Sequence, residues 1–222
     1  MSGRIDPALI PAQPDLQFEH LLWQQGFQTV AGLDEAGRGA WAGPVAAAAV
    51  VLPCDDAICT ALRGVRDSKE LAPQKRAGLA PIIKASAMAW GVGMCSAAEI
   101  DEIGILWATR LAMQRALDQL TQIPDHLLID ALFLLDNDSP QTALYKGDQR
   151  CLSIAAASIL AKTSRDEWMV QQDAVDGRYG FCRHKGYGTA WHQKQLALYG
   201  PGPLHRRSFE PIAQLIAKPG NS

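Results

Sequence analysis

Val45-Ala46-Ala47-Ala48-Ala49-Val50-Val51-Leu52 is the longest uninterrupted apolar run in the chain. It falls far short of the roughly 20 residues a membrane-crossing helix needs, and it suits a buried strand. Thr29 to Asp34 is a second apolar and β-branched run. The two flank a glycine-rich segment and read as adjacent strands joined by a loop. Ala87 to Met94 reads as a third strand. Ser96 or Ala97 opens a helical stretch, and Ile105 to Leu120 has helical spacing, with Leu106, Met113, Leu117 and Leu120 on its apolar face. Leu127 to Asp130 is a short apolar strand ending in a carboxylate. Ser153 to about Val175 reads as a long helix, alanine-rich at its start, where it can pack closely. Short helices are expected around Leu16 to Gln25 and from Thr189 to Tyr199. Strands followed by helices, then a tail punctuated by glycine and proline, indicate an α/β domain with a C-terminal extension. At 222 residues, there is enough chain for one sizeable core. The divisions expected are an N-terminal extension over 1–28, a main α/β domain over 29–176 and a C-terminal helical and looped region over 177–222.

Apolar residues make up 48% of the chain and charged residues 20%, the balance of an ordinary globular protein. The first 20 residues carry Asp6, Asp15 and Glu19 and no apolar core segment, which argues against a secretory signal. The five cysteines, Cys54, Cys59, Cys95, Cys151 and Cys182, are scattered and form no CxxC pair. Reduced thiols in the cytoplasm are expected, and no zinc site. The net charge of −2 does not advertise a nucleic-acid binder. Its distribution says more: Gly177 to Phe209 contains no Asp or Glu, but holds Arg178, Arg183, Lys185, Lys194, Arg206, Arg207 and three histidines. Such a stretch can track phosphates or simply be a solvated basic face, and charge alone leaves both readings open.

Asp34-Glu35 sits where the first strand runs into Ala36-Gly37-Arg38-Gly39, and Asp130 ends another strand. Strand ends gather in space, and converging carboxylates are what hard cations such as Mg²⁺ and Mn²⁺ prefer. Two such ions activate water and stabilise the leaving oxygen of a phosphodiester. Neighbouring strand residues point to opposite faces, so Asp34 and Glu35 are expected to share a site only if the strand breaks there. An Asp-Glu pair after a strand also caps loops and helices, and the pair alone does not decide. Glycines flanking Arg38 let the backbone approach a phosphate closely, and Arg38 can add a bidentate contact.

These residues coincide with a known pattern. Gly32-Leu33-Asp34-Glu35-Ala36-Gly37-Arg38-Gly39, followed by Gly43-Pro44-Val45, resembles the opening motif of the type 2 ribonucleases H. Asp67-Ser68-Lys69-Glu70-Leu71 looks like their DSK-x-L segment. Lys146-Gly147-Asp148 and the block from Ser153 to Lys162 are similar to the family's KGD and SIAAAS motifs. His184-Lys185-Gly186-Tyr187-Gly188-Thr189 and His205-Arg206-Arg207-Ser208-Phe209 match its late motifs. The resemblance runs from about Val30 to Ile212. Type 3 enzymes typically carry Lys at the position of Arg38 and an added N-terminal domain, which favours type 2 here.

The resemblance implies an α/β, RNase H-like fold with a mixed central sheet flanked by helices, plus a C-terminal helical extension. It implies a four-carboxylate site at Asp34, Glu35, Asp130 and Asp148, holding Mn²⁺ or Mg²⁺, two ions during catalysis. It places Gly37, Arg38 and Gly39 on the ribonucleotide, Tyr187 on the following sugar and Lys69 on a phosphate; Arg183 and Lys185 belong to the basic stretch. The implied substrate is an RNA–DNA hybrid or duplex DNA with embedded ribonucleotides, cut on the 5′ side of the ribonucleotide; a monomer is expected, and, with no apolar run near the length of a membrane helix, no membrane partner. A different two-metal nuclease or strand-transfer enzyme on the same fold, and a hybrid-binding module without catalysis, are the competing classes. The family usually has Gly after the third carboxylate, where this chain has Ala131, and 131–143 matches no motif. Asp136 and Asp138 there are expected to be solvated, and Asp166 to be a structural helix residue. His184 and His205 are expected in phosphate contact or loop hydrogen bonding before any role as bases.

Overall fold

A computed structural model of the chain describes residues 10–217; Asp6 and the outer ends of the expected N- and C-terminal segments lie outside them. Helix α1 (Gln17–Gln24) precedes strands β1 (Val30–Ala36) and β2 (Val45–Val51). Helices α2 (Ala57–Ala61) and α3 (Pro73–Ser86) lead to β3 (Ala89–Cys95), then α4 (Ala97–Ile103) and α5 (Ile105–Leu117). After β4 (His126–Asp130) and β5 (Gln141–Leu144) comes the long α6 (Leu152–Val175), followed by α7 (Phe181–His184), α8 (Ala190–Tyr199) and α9 (Ile212–Ala217).

The five strands form one sheet in the order β3-β2-β1-β4-β5. β3, β2 and β1 pair antiparallel, while β1, β4 and β5 run parallel, so the sheet is mixed as expected. The run of apolar residues is its second strand, buried along its whole length. Val45, Ala47, Ala49 and Val51 pack in the layer of α5, and Ala48 and Val50 in the layer of α3 and α6. A strand covered on both faces has no use for polar alternation. Alanines bring both helices close, and glycines bring them closer. A Cβ on Gly93 would strike the Ala112 carbonyl of α5, and one on Gly32 would strike the Ser153 backbone of α6.

Local chemistry sets the helix starts. Ser96 caps α4 with a reciprocal box: its hydroxyl accepts from the Glu99 amide at 3.3 Å, and its amide donates to Glu99 Oε2 at 2.8 Å. Thr189 caps α8 by accepting from the His192 amide. α5 ends at Leu117 rather than Leu120. Leu106, expected on its apolar face, is exposed. The face that meets the sheet is Ala108, Thr109, Ala112, Met113, Ala116 and Leu117, because small residues are what a close helix–glycine contact requires. Segment 131–143 is not featureless: Leu132 and Leu134 are buried against the α5 layer, and Gln141 Nε2 donates to the Leu134 carbonyl at 2.8 Å. Among the described residues, no helix is long and apolar enough to cross a membrane.

Candidate active site

β1 and β4 run parallel with Leu33 beside Ile129, so Asp34 and Asp130 follow side by side at their carboxyl ends. In open α/β sheets, ligands gather outside such strand ends where the connections reverse direction. Asp130 Oδ1 accepts from the Gly147 amide at 2.7 Å, which ties down the turn Gly147–Gln149 and brings Asp148 in. The other side of that turn is fastened by the N-terminal segment. Leu152 donates to the Asp15 carbonyl, and buried Glu19 accepts from the Ser153 amide at 2.8 Å.

The expected break in the first strand does not occur. β1 continues pairing with β2 as far as Ala36 opposite Ala46. The pairing on its other side stops at Leu33, and the open edge beyond lets the longer Glu35 side chain join Asp34 without a break. Each of the four carboxylates is pushed upward in pKa. Burial is the main cause for Asp34, which is held well above the usual range, with Glu35, Asp130 and Asp148 adding to it. Burial also raises Glu35, against the opposing pull of Arg38, and raises Asp130 against the Gly147 hydrogen bond. Asp148 is pushed up to about 6 by burial and by Asp130 and Asp67. Four acids that raise one another lie in one electrostatic neighbourhood.

Two cations answer them. Arg38 Nη1 lies 3.2 Å from Glu35 Oε1, and Lys69 Nζ lies 3.4 Å from Asp148 Oδ2. Burial works to lower the Lys69 ammonium, but Asp67, Asp148 and Asp34 outweigh it and hold it raised. Asp34 Oδ2 and Glu35 Oε2 are buried without a hydrogen-bond partner. Orphaned buried carboxylate oxygens are costly, and an all-oxygen donor set suits a hard divalent cation. Among the described residues, no three acidic, histidine or cysteine side chains already stand around a common ion position; Lys69 and Arg38 occupy the carboxylates instead.

The Gly37-Arg38-Gly39 loop leaves this cluster directly. Two fully buried arginines lie behind it, Arg206 bonding the loop and Arg165 packing beside Gly37 and bonding the segment that follows. Arg206 donates to the carbonyls of Gly37, Arg38 and Gly43 at 2.7, 2.8 and 3.0 Å. Arg165 donates to those of Pro44, Ala42 and Lys185. Tyr187 is half-buried, with Lys162 and Arg165 over its ring at 5.2 and 5.4 Å. The loop and Tyr187 therefore share one support.

Other expected residues lie elsewhere. Arg183 stacks on Trp191 at 4.7 Å, and Lys185 Nζ bonds the Cys182 carbonyl; neither reaches the carboxylates. Arg206, counted in the basic stretch, is buried and structural. His184 and His205 are buried, with burial pushing their pKa values down, His205 to about 4. His205 faces His192 at 3.0 Å, so both are loop and core groups rather than bases at the acids. Asp136 and Asp138 are exposed, and Asp166 bonds Lys162 at 2.7 Å and Arg76 at 3.4 Å within the fold. Ala131 adopts φ 50, a left-handed conformation that costs a Cβ-bearing residue about 1–2 kcal/mol. Sequence reasoning missed Asp67: it is buried, its Oδ1 caps the Lys69 turn at 2.9 Å, and its charge acts on Asp130 and Asp148. It lay in a motif quoted for its lysine.

The chain is similar to known proteins in both sequence and fold. The family model described as Ribonuclease HII matches residues 31–212. A Ribonuclease HII of Chloroflexus aurantiacus is 52% identical over 91% of this chain and 96% of its own. One from a Synechococcus strain is 53% identical over 92% of each. Among solved structures, ribonuclease H2 of Pyrococcus horikoshii superimposes with a TM-score of 0.70 at 27% identity, covering 84% of this chain and 96% of that one.

Proposed function

The chain belongs to the ribonuclease HII family, and from that premise we propose that it hydrolyses the RNA strand of RNA–DNA hybrids and cuts at ribonucleotides embedded in duplex DNA. The cut falls on the 5′ side of the ribonucleotide and leaves 3′-hydroxyl and 5′-phosphate ends. The observation that carries the reading is the cluster of Asp34, Glu35, Asp130 and Asp148 at the strand ends, with two buried oxygens left unpartnered.

Asp34, Glu35, Asp130 and Asp148 are the groups that would hold Mg²⁺ or Mn²⁺, two ions in the working enzyme. Bound there, the metal supplies Lewis-acid stabilisation of the phosphate and an acidified water. The chain itself does the positioning. Gly147 orients Asp130, and Asp67 orients the Lys69 turn. Lys69 and Arg38, which now pair with Asp148 and Glu35, are the cations that would face phosphate with those carboxylates holding metal. Gly37, Arg38 and Gly39 address the ribonucleotide, and Tyr187 lies against the next sugar. In functional terms residues 29–176 carry the chemistry and 177–222 contribute Tyr187, Arg183 and Lys185 to substrate binding, in a monomer.

The test is a labelled DNA duplex with one ribonucleotide, incubated with Mg²⁺, Mn²⁺ or EDTA beside all-DNA and all-RNA duplexes. A single metal-dependent cut 5′ to the ribonucleotide, leaving a 3′-hydroxyl, is expected. Equal cutting of the all-DNA duplex would move the protein to a different two-metal nuclease class. Binding of the ribonucleotide duplex without any cleavage would make it a recognition module.

A further inference from the structure

We propose that buried Arg206 is a positioning residue for ribonucleotide recognition: it pulls the carbonyls of Gly37 and Arg38 inward and so aims the amides of Arg38 and Gly39 outward at the substrate. The proposal rests on the reading of the Gly37–Gly39 loop as the ribonucleotide contact and adds what makes that loop a reader.

A trans peptide is planar, with its C=O and N–H pointing in opposite directions. The carbonyl of Gly37 shares a plane with the amide of Arg38, and the carbonyl of Arg38 with the amide of Gly39. Arg206 binds both carbonyls through its two terminal nitrogens, at 2.7 and 2.8 Å. Both partner amides must then face away from the interior. Among the described residues, neither donates to any protein acceptor, and both Arg38 and Gly39 are exposed. Two adjacent, fixed donors on a surface beside the carboxylate cluster are suited to a 2′-hydroxyl or phosphate oxygen, the groups that distinguish and carry RNA.

Two further observations point the same way. A Cβ added to Gly39 would meet nothing within 4 Å, and its φ is not in the left-handed range. The fold itself therefore asks for no glycine there, whereas an approaching ligand would. Second, Arg206 is fully buried and spends its guanidinium on carbonyls alone, with like-charged Arg165 close enough to act on it. Burial and Arg165 push it down to about 9. A buried charge without a carboxylate partner is an expensive way to hold a loop. Its planar fork, though, engages two successive carbonyls at once, which an ammonium cannot do.

The experiment compares the full-length protein with Arg206→Lys and Gly39→Ala, in EDTA to prevent turnover. Fluorescence anisotropy gives the affinity of each for an all-DNA duplex and for the same duplex with one ribonucleotide. In the wild type the ribonucleotide duplex should bind more tightly. Arg206→Lys should lower that preference by about tenfold or to parity, the equivalent of one hydrogen bond of about 1.4 kcal/mol, with all-DNA affinity unchanged. Gly39→Ala, which the fold accommodates, should lose the preference too. If Gly39→Ala keeps the preference, or the wild type has none, the loop is not the reader and the underlying functional reading falls with this one. If Gly39→Ala loses it while Arg206→Lys retains it, or if Arg206→Lys weakens both duplexes equally, only the role of Arg206 is overturned. Should Arg206→Lys fail to fold, amide NMR of the wild type decides. The Arg38 and Gly39 resonances must shift with the ribonucleotide duplex and not with all-DNA, and their constancy would overturn the proposal.

Discussion

Asp34 is held in a position that suits an ion and strains the bare protein. Its Oδ1 accepts the Glu35 amide at 2.7 Å, while Oδ2 has no partner. Asparagine keeps the first contact and removes the charge. A carboxyl whose folded pKa lies above its unfolded value binds its proton more tightly in the folded state. Its penalty is therefore absent below about pH 4, grows as pH rises from the unfolded toward the folded pKa, and is full above the latter. Asp34→Asn should accordingly be more stable than the wild type in EDTA, by a margin near zero at pH 4 that widens to several degrees at pH 7, at roughly 2–4 °C per kcal/mol for a chain this size. Saturating Mg²⁺ should close the gap, and turnover by the variant should be lost while duplex binding in EDTA survives. Thermal melts across pH, paired with the cleavage assay, check this. A variant less stable than the wild type at pH 7 in EDTA, or one with normal turnover, would refute the metal-site model.

At the scale of elements, glycines separate into those a neighbour needs and those nothing needs. Gly93 in β3 lies under the backbone of α5, where a Cβ would strike the Ala112 carbonyl. Gly78 lies exposed inside α3 with nothing within 4 Å. Gly78→Ala should raise stability by about 0.5–1 kcal/mol, the helix-interior difference between the two residues. Gly93→Ala should lower it by about 1–3 kcal/mol as α5 is forced outward. Urea unfolding of the two variants measures both, and like signs would mean that the helix–sheet contact is not as tight as described. The same contrast explains what could be read beforehand. β2 and α6 were legible because double-sided burial writes itself as unbroken apolar or alanine-rich sequence. α3 was not: Pro73, Gly78 and Pro81 all fall within it and resemble punctuation. β5 is four residues, only Leu144 of them buried, too short to show a period. In the site, Asp34, Glu35 and Asp148 lay in motifs and Asp130 ended an apolar strand, but Asp67 was overshadowed by Lys69. The roles of Arg165 and Arg206 depend on carbonyls more than 120 positions away in sequence, which no local pattern encodes.

For the whole molecule, the question is how a chain of net charge −2 holds a polyanion. The acid-free stretch from 177 to 209 promised six cations and three histidines, and folding reduces that number. Arg206 is buried against carbonyls. Arg178 is committed to Asp176 through contacts of 2.7 and 2.8 Å. His184, His192 and His205 are pushed down by burial, the last two to about 4, and carry no charge near neutrality. Arg183, Lys194 and Arg207 remain exposed, and Lys185 is half-buried with its ammonium on the Cys182 carbonyl. At roughly −0.9 per phosphate neutralised on a B-like duplex, they can contribute at most about −3.6 to the slope of log affinity against log salt. Arg183 and Lys185 lie on the segment that leads to Tyr187, so substrate bound at Tyr187 should bring phosphates to these two before Lys194. The double variant Arg183→Gln, Lys185→Gln should flatten the slope by about 1–2 and weaken all-DNA and ribonucleotide duplexes alike, because phosphate contacts carry no sugar identity. Lys194→Gln should leave the slope unchanged. Binding isotherms from 50 to 300 mM salt, over which the Debye length falls from about 14 to about 6 Å, give these slopes directly. A double variant with the wild-type slope would show that Arg183 and Lys185 form a solvated face, and that the duplex is held by Lys69, Arg38 and the loop alone.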